Sequence, residues 1–304
     1  MASVQMTFPQ KLLDTALRIP PHVLNDAAAV ERQAGGDALD ARLKRIISRI
    51  KAEAVEPDAG QVDYARFKHS PVYQEYRETA ALLPEFDLQS LVHREQRLAF
   101  WLNLYNALVI DGIIHYGIRR TVNEVTGFFR RAAYVIGGYR FSLDDIEHGI
   151  LRANAGHPFI PGPQFGPHDP RLRYALNQPD CRVHFALVCG AVSCPPINFF
   201  DAEKIDAQLD MAARNFLSQT VEIDRERSSI RLSRLLQWYA EDFGAGAWVK
   251  VGVGDRKSLL RAIAPYLVEE QRAFLETAPG NLKVRFNAYD WGLNMLQAAG
   301  EGTR

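Results

Sequence analysis

Hydrophobic residues recur with a helical period in the first third of the chain. Between residues 38 and 54, one helix face collects Leu39, Leu43, Ile46, Ile47 and Ile50, which is typical of an amphipathic helix. A second helical pattern covers residues 64–83 and is interrupted at Ser70–Pro71, because proline disrupts the interior of a helix. Neither stretch gathers reactive side chains. We therefore predict that residues 1–87 form a helical region that supports the rest of the fold.

The most apolar part of the chain predicts a long helix over residues 88–116, followed by Gly117 as a C-terminal cap. From Leu98 onward this segment is apolar on nearly all sides, as expected for a helix enclosed by a core. It also contains Asn103, Asn106 and Asp111. These polar side chains indicate a buried central helix rather than a membrane span.

The rest of the chain alternates short helices, strands and turns. Residues 156–170 hold five prolines and three glycines, which predicts an irregular loop that could cover a site. Further helices are predicted over residues 143–152, 201–219, 234–244 and 257–277. Strand patterns occur as a hairpin over 132–143 with Gly137–Gly138 at its turn, a buried strand over 182–188, a hairpin over 221–232 and a last strand over 282–291.

These elements predict the fold class and the domain organisation. We expect a helix-rich α+β protein in which a small, mostly antiparallel sheet lies around the buried central helix. The chain length is compatible with a single domain. We place its core in residues 88–304, with residues 1–87 as the helical support.

Composition and charge exclude several classes of function. Basic and acidic residues number 36 each, and a net charge of zero does not favour a nucleic-acid partner. The first residues lack the pattern of a signal peptide, and three cysteines do not make a disulfide framework, so we expect a soluble, cytoplasmic protein. Common nucleotide, esterase and metalloprotease motifs are missing from the sequence, and we predict no cofactor.

All three cysteines lie in one short segment that also contains a histidine. Strand alternation over this segment puts His184 on the face opposite Cys181 and Cys189, whereas Cys194 follows a turn at Gly190. Backbone N–H groups in such a loop lower the pKa of a thiol. We therefore predict Cys194 as a nucleophile and His184 as its base.

Other uses of this segment stay open. Cys189 could pack as a small hydrophobic residue, form a redox pair with Cys194, or join a metal site, although the spacings fit a redox motif or a zinc site poorly. Ser193 in the same loop is an alternative functional residue.

Polar residues elsewhere complete the set of candidates. Asn103 and Asn106 share a helix face and could orient the imidazole or stabilise an oxyanion, or they could bind backbone groups and lock the core. The cluster of Asp144, Glu147 and His148 is a second candidate, because a carboxylate four residues before a histidine can fix its tautomer. Glu95, at the start of the central helix, is an alternative carboxylate.

Several segments resemble the domain-of-unknown-function 547 family. The matching stretches are REQRLAFWLNLYNALVIDGIIHYGI at 94–118, GGYRFSLDDIEHGILR at 137–152, DCRVHFALVCGAVSCPPI at 180–197, DAEKIDAQLDMAARNFL at 201–217, WYAEDFG at 238–244 and AYDWGLN at 288–294. The resemblance covers about two thirds of the chain in family order. It implies membership of a family whose biochemical function is not defined.

A core helix followed by a histidine-bearing strand is also similar to the papain and transglutaminase-like superfamily. In those proteins a nucleophilic cysteine opens the core helix. The present core helix has no cysteine and carries Asn103 and Asn106 instead, which puts the position of the nucleophile in doubt.

Two functions follow from these residues. The first is a Cys/His-dependent hydrolase or acyl transferase that acts on an amide or a thioester, using Cys194, His184, Asn103 and Asn106. The second is a non-catalytic module that binds a small molecule, a peptide or a protein partner.

Overall fold

The computed structural model describes residues 6–26, 39–56, 61–246, 249, 256–277 and 282–296. Contacts along the chain divide it into two compact units. The first contains residues 1–178, 187–205 and 291–304, and the second contains residues 179–186 and 206–290. The boundary between residues 87 and 88, which we placed from the sequence, stays a prediction.

In the described part of the chain, four α-helices precede the central helix. They are α1 (Phe8–Ala16), α2 (Leu39–Ala54), α3 (Tyr64–Phe67) and α4 (Pro71–Ala80). The predicted interruption at Ser70–Pro71 separates α3 from α4. A new helix starts at Pro71 for two reasons. The Ser70 side chain caps it by accepting a hydrogen bond from the backbone N–H of Tyr73, at 3.0 Å, and proline is tolerated at the first helical position.

The central helix, α5 (Arg94–Tyr116), is enclosed as predicted. Every residue from Leu98 to Ile114 is buried, and Gly117 ends the helix with a φ of +65°. By length and composition α5 could cross a bilayer, but 89% of its most apolar window is buried inside the protein. The predicted start at residue 88 is wrong, because Leu88–Ser90 forms a separate 3-10 turn in which the Asp87 carboxylate accepts from the N–H of Gln89.

The glycine pair at the first hairpin turn acts as predicted. After α6 (Phe128–Arg131), strands β1 (Ala133–Ile136) and β2 (Tyr139–Ser142) pair antiparallel. Gly137 and Gly138 connect them with φ angles of +55° and +82°, which residues with a Cβ rarely adopt. The helix that follows, Asp145–Leu151, is a π-helix, a form found frequently at functional sites.

The predicted strand over residues 182–188 is wrong. Cys181–Phe185 forms a 3-10 helix instead. The Asp180 carboxylate accepts from the N–H of Arg182 at 3.1 Å, and the Asp180 carbonyl accepts from the N–H of Val183 at 3.1 Å, so local bonds replace a sheet ladder. A short apolar run does not by itself distinguish a buried strand from a helical turn.

The second unit combines short helices with a three-stranded sheet. In it, β3 (Glu222–Asp224) and β4 (Ser229–Leu232) pair antiparallel, and β4 pairs parallel with β5 (Lys283–Phe286). The helices of this part of the chain are α7 (Ile205–Thr220), α8 (Arg234–Trp238), the 3-10 turn Ala240–Phe243, α9 (Lys257–Ile263) and α10 (Glu269–Thr277). The helix-rich α+β class predicted from the sequence is therefore confirmed, with strands in two small sheets.

A carboxylate inside α5 joins three elements of the first unit. Asp111 is fully buried and accepts hydrogen bonds from the hydroxyls of Tyr73 and Tyr134, each at 2.6 Å. Tyr73 donates to Oδ1, whereas Tyr134 and Arg77 of α4 both donate to Oδ2, Arg77 at 2.6 Å. Burial raises the pKa of Tyr134 well above its ordinary value, and the nearby Asp111 charge adds to the effect. The hydroxyl therefore stays protonated and acts as a donor to the carboxylate.

We predict that Asp111→Ala lowers the free energy of unfolding by about 2–4 kcal/mol, because the half-buried Arg77 and the hydroxyls of Tyr73 and Tyr134 lose a shared acceptor. Urea denaturation measures the loss. The matched control is Glu95→Gln on the same helix, where the carboxylate is 44% exposed and lies 3.7 Å from Arg94. Its effect should stay within about 1 kcal/mol. Equal losses in the two variants would contradict the role assigned to Asp111.

Candidate functional site

Two of the three cysteines are joined. Cys189 and Cys194, both partly exposed, form a disulfide bond across five residues of chain. Cys194 is therefore not a free thiol in this structure, and a nucleophilic Cys194 requires that the bond first be reduced. Cys189 is not an isolated packing residue either, because it supplies the other sulfur. The remaining cysteine, Cys181, is free. Burial, reinforced by the Asp180 charge, raises its pKa to about 11, so it remains an unreactive thiol at neutral pH.

The loop that carries the disulfide has its own backbone support. Gly190 adopts a φ of +79°, and a Cβ at this position would lie 2.7 Å from the side chain of Ile113 in α5. Glycine is therefore required where the chain turns. Backbone hydrogen bonds fix the rest of the loop: Val192 N–H to Gly292 O at 2.8 Å, Asn294 N–H to Gly190 O at 2.9 Å, and Cys194 N–H to Ala191 O at 3.1 Å. Ser193 lies in this last turn and is partly exposed.

One backbone group is directed at the predicted nucleophile. The N–H of Cys189 donates to Sγ of Cys194 at 2.9 Å. The sequence predicted backbone donors around Cys194, and the N–H of Cys189 is such a donor.

Asn103 and Asn106 bind backbone groups. The amide of Asn103 donates to the carbonyl of Phe200 at 2.8 Å and accepts from the N–H of the same residue at 3.0 Å. Asn106 accepts from the N–H of Val188 at 3.1 Å. Val188 and Phe200 bracket the segment that contains both disulfide cysteines. The two asparagines therefore position this segment on α5.

His184 is paired with a carboxylate that the sequence analysis did not select. Its Nε2 lies 2.7 Å from Oδ2 of Asp242, and its ring stacks on Tyr239 with a centroid distance of 3.9 Å. Both partners belong to the WYAEDFG stretch, which the sequence indicated only as a family match. A separation of 58 residues hides such a pairing from local pattern analysis. The side chains of His184 and Asp242 are 2% and 4% exposed.

The second predicted cluster forms a buried charge network around the π-helix. Asp144 lies 3.2 Å from Arg130, and burial raises its pKa to about 7, with Glu147 and Asp145 adding to the effect and Arg130 opposing it. Burial acts in the same direction on Asp145, but there the charge of Arg171, 3.0 Å away, prevails and the pKa is lowered. Asp144 is therefore more easily protonated than an ordinary aspartate, whereas the neighbouring Asp145 is less easily protonated.

His148 is held in one tautomer. Arg152 lies 3.0 Å from its Nδ1, and because a guanidinium only donates, Nδ1 is the acceptor and the ring proton resides on Nε2. That nitrogen lies 3.9 Å from Oδ1 of Asp144. Glu147 accepts from the hydroxyl of Tyr105 of α5 at 2.9 Å. The structure therefore brings together Asp144, Glu147 and His148 as predicted, and adds arginines that the sequence did not associate with them.

Two further observations concern metal ligation and Glu95. Among the residues that the structure describes, no group of three or more His, Cys, Asp or Glu side chains is arranged to hold a metal ion. Glu95 is at the first turn of α5, beside Arg94, and is partly exposed to solvent.

Comparison with known proteins identifies the class of the central region. Residues 88–217 match the family model described as "Protein of unknown function, DUF547". This match confirms the family recognised from the sequence motifs, and it spans α5, the π-helix and the disulfide loop. No curated protein and no solved structure matches the chain. The similarity to papain and transglutaminase-like proteins stays a prediction.

The opposite pKa shifts of Asp144 and Asp145 predict opposite pH effects. Because the pKa of Asp144 is raised to about 7, the folded protein retains a proton that the unfolded chain releases above about pH 4. This carboxyl therefore lowers stability progressively as the pH rises from about 4 to about 7. We expect Asp144→Asn to gain about 2–4 kcal/mol relative to the parent across that window.

Urea unfolding at three pH values within the window measures this trend. Asp145→Asn is the matched control. Because the pKa of Asp145 is lowered, its ionised carboxylate stabilises the fold at every pH above the ordinary Asp pKa, and this stabilisation is lost only at lower pH. That variant should be destabilised by a nearly constant amount across the window. Parallel pH curves for Asp144→Asn and the parent would contradict the raised pKa.

Proposed function

We propose that the protein is a thiol-dependent hydrolase or acyl transferase that acts on an amide or a thioester, with reduced Cys194 as its nucleophile. The observation that carries the proposal is the N–H of Cys189, which donates to Sγ of Cys194 at 2.9 Å. A thiolate stabilised by a fixed donor is more abundant at neutral pH than an ordinary thiolate. Partial exposure of Cys194 supports access by a substrate.

The reaction proceeds through an acyl-enzyme. The Cys194 thiolate attacks the substrate carbonyl, the carbon–sulfur bond forms, and the amine or thiol leaving group departs after taking up a proton. Water or an acceptor nucleophile then attacks the thioester, and the thiolate is regenerated. Transfer to water is hydrolysis, whereas transfer to another nucleophile is acyl transfer.

A second element of the proposal is His184, whose own surroundings within the second unit suit a general base. When the Asp242 carboxylate accepts the proton of Nε2, the lone pair of the neutral imidazole is on Nδ1. Stacking on Tyr239 further restricts the ring. A carboxylate that holds an imidazole in one tautomer is the usual support of a catalytic histidine.

Asn103 and Asn106 serve this function as positioning residues. Their amides bind the backbone of Phe200 and Val188, at the two ends of the segment that carries the nucleophile. These backbone contacts support a positioning role for the two asparagines better than the predicted stabilisation of an oxyanion. It also explains polar side chains within a helix that is otherwise enclosed by apolar residues.

The alternative is a non-catalytic binding module for a small molecule, a peptide or a protein. It is favoured by the nearly complete burial of His184 and Asp242, since a buried histidine–carboxylate pair also satisfies a purely architectural need. In that case the cysteines stabilise a loop. The two functions differ in the reactivity of Cys194 after reduction.

We predict that Cys194 of the reduced protein reacts with iodoacetamide with an apparent pKa at least about one unit below the ordinary thiol value near 8.5. Mass spectrometry resolves the rate at each cysteine as a function of pH. Cys181 is the internal control, because its pKa of about 11 keeps it slow. An ordinary or raised pKa at Cys194 would favour the binding module.

The acyl-enzyme is tested with p-nitrophenyl acetate. Reduced protein should release a burst approaching one p-nitrophenolate per chain, and Cys194→Ser should release none. An unchanged burst in Cys194→Ser would exclude the proposed nucleophile.

A further inference from the structure

The disulfide loop is held in shape by contacts other than the disulfide. Three features hold the loop without involving the sulfur–sulfur bond: the turn at Gly190, the β-bridge between Ala191 and Leu293, and the Asn103 and Asn106 hydrogen bonds at its two ends. We expect them to persist when the disulfide opens. Reduction therefore leaves two thiols close together in a folded loop. Such a pair can close again without a search through unfolded conformations.

The two sulfurs are not equivalent toward an attacking thiol. In thiol–disulfide exchange, the sulfur that leaves more readily is the one with the lower thiol pKa. The N–H of Cys189 stabilises charge on Sγ of Cys194, so Cys194 is the leaving group and Cys189 is the sulfur attacked. Both residues are partly exposed, which admits a small dithiol.

We propose that the Cys189–Cys194 bond is a reversible redox switch that masks the Cys194 nucleophile and is opened by a dithiol reductant. This regulation rests on the proposed thiol-dependent function. One thiolate of the dithiol attacks Sγ of Cys189, forms a mixed disulfide and expels the Cys194 thiolate. The second thiol of the reductant then attacks the mixed disulfide, releases Cys189 as a thiol and leaves as a cyclic disulfide. Two electrons pass from the dithiol to the protein pair.

The third cysteine of the chain is distinct from this pair. Cys181 does not compete in the exchange, because its raised pKa keeps it protonated. The pair Cys189–Cys194 is therefore the redox-active group among the three cysteines of the chain.

The test equilibrates the protein with mixtures of reduced and oxidised dithiothreitol, stops exchange with acid, labels the thiols with a maleimide in denaturant so that Cys181 also reacts, and counts them by mass. We expect two populations, with one and three labelled thiols, that interconvert reversibly while circular dichroism stays native. Cys181→Ser should shift these counts to zero and two without moving the midpoint. Reduction that occurs only in urea, or that unfolds the protein, would show a structural disulfide and overturn the switch.

The variant Cys189→Ser separates the switch from the proposed function. It leaves Cys194 permanently unpaired, so its p-nitrophenyl acetate burst should no longer respond to oxidised dithiothreitol, whereas oxidation should reduce the parent burst at least tenfold. If the disulfide forms reversibly but neither protein gives a burst, the thiol-dependent function fails, and the switch as a mask of catalysis fails with it. If Cys189→Ser is active but the parent disulfide is irreducible in the folded state, only the switch fails.

Discussion

The first unit depends on a single constraint, which is that the buried Asn, Tyr and Asp side chains of α5 must find partners. A polar group enclosed without a partner costs about 1–3 kcal/mol, so each of these side chains selects a particular neighbour. Asn103 and Asn106 bind backbone, Tyr105 binds Glu147, and Asp111 binds two tyrosines and an arginine. The helix thereby fixes the position of the elements around it as well as filling the core.

This constraint connects the core to the cysteine chemistry. The asparagine bonds fall on Val188 and Phe200, and the segment between them contains Cys189 and Cys194. Asn103 and Asn106 could be assigned from the sequence either to the architecture of the core or to catalysis. Their contacts are with backbone groups and are architectural, but those contacts position the segment that carries the disulfide. The DUF547 match covers both α5 and this segment, so both components belong to the matched region.

The features predicted correctly from sequence are those determined by local chemistry. Gly137–Gly138 predicted a hairpin because both positions require a positive φ, and Gly117 predicted the end of α5 for the same reason. Residues 182–188 were misassigned because Asp180 redirects the local hydrogen bonds, and an apolar run carries no information about that competition. The pairing of His184 with Asp242 depends on tertiary structure and leaves no periodic pattern.

Spacing alone was equally uninformative about the cysteine pair. Four residues lie between Cys189 and Cys194, two more than in the familiar redox motif, and whether such a loop closes depends on its backbone. The positive φ of Gly190 and the turn hydrogen bond from Cys194 to Ala191 bring the sulfurs together. Because the same loop directs the N–H of Cys189 at Cys194, the geometry that closes the disulfide is also the geometry that would stabilise the thiolate after reduction.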